Sequence, residues 1–178
     1  LKDYWQFRII VADNPPSFDE AAEEIEHLLK QSVKRRLMSD VPLGVFLSGG
    51  VDSSAVAAAM CSMRDANSVK SFAIGFEEKA FDESEQARFM AEALGSDHRE
   101  KILDFNQARG LISDVFTKLD EPMGDGSLLP TYLLCEFARQ KVTVALSGDA
   151  GDEIFAGYDP FKALKPATLY NSFMPGFA

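Results

Sequence analysis

The stretch Leu43-Gly44-Val45-Phe46-Leu47-Ser48-Gly49-Gly50-Val51-Asp52-Ser53-Ser54 decides the fold. Leu43 to Leu47 is an apolar run of strand length and predicts a buried strand. A Ser-Gly-Gly turn follows, and Ser53 to Met63 reads as a helix. Strand, glycine-rich turn and helix start together make an anion site. The first helical N–H groups lack intrahelical partners, and the macrodipole adds partial positive charge there. Gly49 and Gly50 permit positive φ and let a phosphate approach the backbone. Ser48, Ser53 and Ser54 add hydroxyl donors. Asp52 would repel a bare phosphate. A hard cation such as Mg²⁺ between them removes the conflict, because it is held by few carboxylates and several phosphate oxygens. The segment is not a Walker A loop, which requires Gly-Lys-Ser/Thr, and the chain contains no Gly-Lys pair.

A second segment has the same form. Val142 to Leu146 reads as a buried strand, followed by Ser147-Gly148-Asp149-Ala150-Gly151-Asp152-Glu153 and Ile154-Phe155-Ala156-Gly157-Tyr158. Three carboxylates within five residues are costly to bury without a cation. A solvated acidic loop is the plainer alternative. Both acidic loops follow strands suited to one parallel sheet, and in such sheets ligands bind beyond the carboxyl ends of the strands. Convergence of the two loops on one Mg-ATP is therefore the expectation.

The rest of the chain alternates helix and strand. Ser17-Phe18-Asp19-Glu20 is a capping box, and an amphipathic helix should run to about Met38 with Ala22, Ile25, Leu28, Leu29 and Val33 on one face. Lys34-Arg35-Arg36 lies near its C-terminus, where cations suit the dipole. Further elements are predicted as strand 69–76, helix 83–94, a short strand near 98–103, helices 106–119 and 129–140, and strand 142–147. This alternation predicts an α/β, doubly wound parallel sheet. Asp120 to Ser127 is a polar loop in which Ser127 is a candidate cap for the next helix.

With 178 residues the chain fits one domain with a substantial core. Its net charge of −10 argues against nonspecific nucleic-acid binding and favours Mg-bound phosphate ligands. Cys61 and Cys135 lie in predicted helices as buried apolar packing, without metal spacing, and suggest reduced thiols and a cytoplasmic setting. His27 and His98 are lone histidines with surface or packing roles. No apolar run of about 18 residues occurs, so no membrane association is expected.

The first motif resembles the PP-loop of ATP pyrophosphatases. With the second, it resembles the synthetase domain of the glutamine-dependent asparagine synthetase B family and its paralogues. Supporting matches, in order, are Tyr4-Trp5, Arg35-Arg36-Leu37, Ser39-Asp40-Val41-Pro42, Ser71-Phe72-Ala73-Ile74-Gly75-Phe76, Asp120-Glu121-Pro122 and Leu129-Pro130-Thr131-Tyr132-Leu133. The resemblance covers about residues 4 to 160. It implies a mostly parallel five-stranded sheet with helices on both faces, in the adenine nucleotide alpha hydrolase-like manner. It also implies cleavage of ATP to AMP and pyrophosphate, with adenylation of the aspartate side chain and attack by ammonia derived from glutamine. Leu47, Ile74, Ser147 and Gly148 would line the adenosine site, partly through backbone groups. Ser48, Gly49, Gly50, Ser53 and Ser54 would hold pyrophosphate, and Asp52 and Asp152 would hold Mg²⁺. Asp149 would be the catalytic base on ammonia. The alternatives are a paralogue that amidates or cyclises another carboxylate, or a catalytically silent ATP-binding fragment. The expected assembly is a homodimer.

Two features depart from the family pattern. Asp149 stands where asparagine synthetases carry Glu, a loss of about 1.5 Å of reach. No N-terminal catalytic Cys precedes the motifs, so residues 1–16 read as a linker from a missing glutaminase domain, with Trp5, Phe7 and Ile9 as docking residues. Residues 17–178 read as the N-terminal part of the synthetase domain. Lys162 and Lys165 align with no family role.

Overall fold

The computed structural model describes residue 6 and residues 13–79, 82–103, 105–121, 123–164 and 166–167. Tyr4, Trp5, Phe7, Ile9, Pro122 and Lys165, and most of the expected linker, lie outside these residues.

Helix α1 spans Phe18–Arg36. Its capping box forms as the sequence predicts: Ser17 Oγ accepts the Glu20 N–H at 3.3 Å, and the Glu20 carboxylate accepts the Ser17 N–H at 2.8 Å. Lys34, Arg35 and Arg36 occupy its last turn. The expected apolar face is only half used. Val33 is buried and Leu29 joins the core, whereas Ile25 and Leu28 stay exposed. Arg64 anchors this C-terminal end by donating to the Leu37 carbonyl at 2.8 Å.

Strand β1 is Leu43–Phe46, β2 Lys70–Phe76, β3 Asp97–Leu103 and β4 Val144–Leu146. All pairings are parallel, in the order β3-β2-β1-β4. Val45 is the centre, paired with Ser71 on one side and Leu146 on the other. Four strands form among the described residues, not the expected five. The chain has four strand-length segments of its own, and the fifth was implied by the resemblance alone.

Helix α2 is Val51–Met63, α3 Ser84–Leu94, α4 Phe105–Phe116 and α5 Leu128–Arg139. Side chains alternate across the sheet. Leu43, Val45, Leu47 and Ala73 form one cluster with Ala57, Ala59 and Met60 of α2 and Ala87 and Ala91 of α3. Phe72 faces the other way, into Ala138 and Val142, and meets Phe137 of α5 edge-on at 5.9 Å between ring centroids. Helices thus cover both faces, as a doubly wound sheet requires, with α1 stacked outside α2 and α4 against α5. The alanines of α2 and α3 allow the close helix–sheet approach.

Candidate functional site

The first loop leaves β1 at Leu47. The Leu47 N–H extends the ladder by donating to the Phe72 carbonyl at 2.9 Å, and its side chain is 1% exposed within the core. Leu47 can therefore reach the loop side only through its backbone. A closed set of hydrogen bonds shapes the turn. Ser53 Oγ accepts the Ser48 N–H at 3.2 Å, lies 2.9 Å from Ser48 Oγ, and donates to the Gly50 carbonyl at 3.2 Å. Ser48 Oγ in turn accepts the Gly50 N–H at 3.3 Å. Helix α2 starts at Val51, two residues earlier than the sequence suggests, which places Asp52 in its first turn. Gly50 caps this helix without a side chain, leaving the first N–H groups free of side-chain capping. Ser54 Oγ is buried and has no hydrogen-bond partner among the described residues.

Gly49 has φ +81, in the left-handed region, and a Cβ there would lie 2.5 Å from Gln86 Cβ and 2.7 Å from the Ala87 nitrogen. The turn is therefore backed by the first turn of α3.

The second loop leaves β4, the neighbour of β1. Ser147 Oγ donates to Asp149 at 2.7 Å. Ala150 and Ala156, at φ 72 and 57, bracket the short helix α6, Gly151–Phe155. Two glycines put this loop in contact with the first. A Cβ on Gly148 would lie 2.5 Å from the Ser53 nitrogen, and one on Gly151 would lie 2.6 Å from both Asp52 carboxylate oxygens. Gly157 packs likewise on the Asp152 carboxylate. Tyr158 donates its hydroxyl to Glu153 at 2.8 Å, and this bond, before the nearby charges of Asp152 and Asp125, holds the phenol above its usual pKa.

The sheet order makes the location meaningful. From β1 the chain winds outward through β2 to β3, then crosses to the other side of β1 to form β4. Strand order thus reverses between β1 and β4, and ligands of open α/β sheets bind in the crevice at such a switch point. Ser48, Gly49, Gly50, Asp52, Ser53 and Ser54 come from one wall, and Ser147, Gly148, Asp149 and Asp152 from the other. Asp149 is exposed and Asp152 half-buried. Ile74, half-buried, sits near the carboxyl end of β2, beside β1. A divalent ion here would find few protein ligands, since no group of three or more His, Cys, Asp or Glu side chains converges among the described residues.

Other expectations resolve less evenly. Ser127 does not cap α5 with its side chain. Asp125 accepts the Ser127 N–H instead at 2.8 Å, which lowers the Asp125 pKa. Cys61 packs against the core and burial raises its thiol, but Cys135 is exposed rather than buried. His27 lies at the surface beside Gln31. His98 is a packing residue: its Nδ1 lies 2.9 Å from the buried Ser71 hydroxyl. It borders a polar cavity of about 450 Å³ with Arg88 and Glu100, far along the sheet from the two loops. Sequence reasoning missed the α3 contact altogether. Nothing in Glu85-Gln86-Ala87 marks it, because it arises from packing.

Comparison with known proteins agrees with this arrangement. The family model for asparagine synthase matches residues 24–175. The Methanocaldococcus jannaschii protein named putative asparagine synthetase (glutamine-hydrolyzing) 2 is 41% identical over 157 residues, covering 87% of this chain and 30% of that protein. Asparagine synthetase (glutamine-hydrolyzing) 1 of Bacillus subtilis is 34% identical, over 83% of this chain and 24% of its own length. The chain therefore spans about a quarter to a third of the curated relatives it matches. The glutamine-dependent NAD⁺ synthetase of Acinetobacter baumannii, solved in complex with ADP, superposes with a TM-score of 0.51 at 20% identity over 84% of this chain and 29% of that one, a likeness of fold. The chain belongs to the asparagine synthase family.

Proposed function

We propose that this chain carries the ATP-binding site of a glutamine-dependent, asparagine synthetase-type ligase. The observation that supports it most is the seating of Gly148 and Gly151 on Ser53 and Asp52, which joins the two acidic loops at the switch point. In this reading an oxygen of the aspartate side-chain carboxylate attacks the α-phosphorus of ATP. The bond to the bridging oxygen breaks, and pyrophosphate leaves. Ammonia then adds to the activated carbonyl carbon, gives up a proton to Asp149, and AMP departs with the electron pair.

Ser48, Gly49, Gly50, Ser53 and Ser54 hold the pyrophosphate part through hydroxyls and backbone N–H groups. The unpartnered Ser54 hydroxyl fits that role, since a buried hydroxyl without a partner is costly. Asp52 and Asp152 would hold Mg²⁺, which would supply charge neutralisation for the phosphates. Ile74, Ser147, Gly148 and the backbone of Leu47 line the adenosine side. Asp149, already fixed by the Ser147 hydroxyl, is the proton acceptor, a role worth about 10²–10⁴ in rate. The parent enzyme would draw ammonia from a glutaminase domain, work as a homodimer and reside in the cytoplasm, a setting consistent with the free thiols Cys61 and Cys135. No helix among the described residues is long and apolar enough to cross a membrane.

Aspartate-dependent ATP–pyrophosphate exchange in the parent enzyme tests this reading. Exchange that needs aspartate, with AMP as the nucleotide product, is expected. Release of ADP, or exchange indifferent to aspartate, would refute it.

A further inference from the structure

We infer that Asp82 is a positioning residue for the phosphate-binding turn, acting through the first turn of α3 on Gly49. This rests on the proposed pyrophosphate role of the turn only for its consequence in binding.

The argument begins at β2. Its last residue, Phe76, points its N–H at Asp82 Oδ1 at 3.2 Å. The same oxygen accepts the Ser84 N–H at 3.1 Å, and Oδ2 accepts the Ser84 hydroxyl at 3.0 Å. Ser84 opens α3 and is buried, while Glu83, the residue at the cap position, offers no side-chain hydrogen bond to the helix. Asp82 therefore both caps α3 and pins it to the strand end. These bonds hold the carboxyl below its usual pKa, the Ser84 N–H first among them. Gly75 lets this clamp close, since a Cβ there would lie 2.8 Å from Asp82 Oδ1.

Two residues after Ser84, the Gln86 and Ala87 backbone forms the wall behind Gly49. A Cβ on Gly49 would lie 2.6 Å from the Gln86 carbonyl carbon, so Gly49 and this helical turn touch with no slack. Gly49 also holds the left-handed φ on which the turn depends. A shift of the α3 start moves that wall. With the wall displaced, Gly49 loses the contact that fixes it, and the N–H groups around it lose their aim.

The test uses this 178-residue chain, ¹⁵N-labelled, as parent, Asp82→Ala and Asp82→Asn. In Asp82→Ala the amide resonances of Gly49 and Gln86 should move without ligand, and Mg-pyrophosphate should bind about tenfold more weakly, the scale of one lost charge-assisted hydrogen bond. AMP, which lacks the pyrophosphate part, should bind as to the parent. Asp82→Asn keeps an acceptor for both N–H groups and should restore the resonances and the affinity. Should Asp82→Ala not fold, Ser84→Ala, which removes the Oδ2 partner alone, should show the same pattern with a smaller shift. Unmoved Gly49 and Gln86 resonances in a folded variant, or AMP weakened as much as pyrophosphate, would overturn the inference. A parent chain that binds no Mg-pyrophosphate refutes the proposed role of the turn, while the resonances still decide whether Asp82 positions it.

Discussion

Replacing Gly151 with alanine separates function from folding more cleanly than any other change at the site. Gly151 begins α6, where alanine is the better helix former by up to about 1 kcal/mol. Its φ is not in the left-handed region, so the backbone accepts a side chain. The obstacle is the Asp52 carboxylate, both of whose oxygens lie 2.6 Å from the new Cβ. Its Cγ lies nearer still, at 2.3 Å, so ordinary contact requires the carboxylate to retreat by about 1.1 Å. The retreat is easy, because a carboxylate at the end of a short side chain can turn away. Fold stability should therefore change by less than about 1 kcal/mol. The consequence for a bound cation is larger. Mg²⁺ holds its oxygens at about 2.0–2.1 Å in near-ideal octahedral geometry, and a site tolerates errors of about 0.2 Å. We expect Mg-ATP affinity to fall about 10- to 100-fold, the usual cost of disturbing the shell around a metal ligand. Calorimetric titration with Mg-ATP, alongside a thermal melt, measures both quantities. Gly126→Ala is the control, since nothing among the described residues lies within 4 Å of a Cβ there. Gly151→Ala binding within twofold of the parent would refute the assignment of Asp52 to the cation. A melt shifted by more than ten degrees would refute the idea that the carboxylate yields.

Phe72→Ala removes a fully buried ring from the face covered by α5 and should cost about 3–5 kcal/mol in urea unfolding; a loss under 1 kcal/mol would mean the helix closes the gap without penalty. His98 loses affinity for its proton through burial, more than Glu100 restores it. The folded state then binds fewer protons than the unfolded one, so stability is full above the ordinary pKa of 6.5 and falls as pH drops from there through the lowered value. His98→Asn should flatten that slope, as read from melts across the range, and an unchanged slope would exonerate His98. Gly110 lies inside α4 with nothing among the described residues within 4 Å of a Cβ, so Gly110→Ala should stabilise by about 0.5–1 kcal/mol, and destabilisation would contradict its place in the helix.

Local signals were legible where one segment settles its own conformation. Ser17 and Glu20 form their reciprocal cap whatever α1 packs against, and the apolar runs at Leu43 and Lys70 become strands. The strand–turn–helix form of both motifs was legible too, because an apolar run, glycines and a following helix former leave few other conformations. Edges failed first. Val142 stays out of β4 because its N–H donates to the Ala138 carbonyl near the end of α5, so the ladder starts at Val144. The Ile25 and Leu28 stripe stayed exposed because helical periodicity reports an apolar face but not how much of a neighbour lies beneath it. Ser127 does stand at the cap position of α5, but its backbone there is helical, at φ −77 and ψ −12, rather than the extended form a side-chain cap uses.

The deeper limit concerns pairing. Nothing in Val144-Ala145-Leu146 says that this strand joins β1 rather than β3, yet that choice makes the site. Were β4 beside β3, the Ser147-Gly148 loop would lie two strands further from Asp52, roughly 10 Å away at the spacing of neighbouring strands. The two acidic loops could not then touch. The evidence that the pairing is selected, and not incidental, is the fit of Gly148 and Gly151 against Ser53 and Asp52. Any side chain at 151 meets the Asp52 carboxylate, and any at 148 meets the Ser53 nitrogen. Gly148, which the family resemblance put at the adenosine site, and Gly151, which it gave no role, are in the fold the surfaces that let one acidic loop close upon the other.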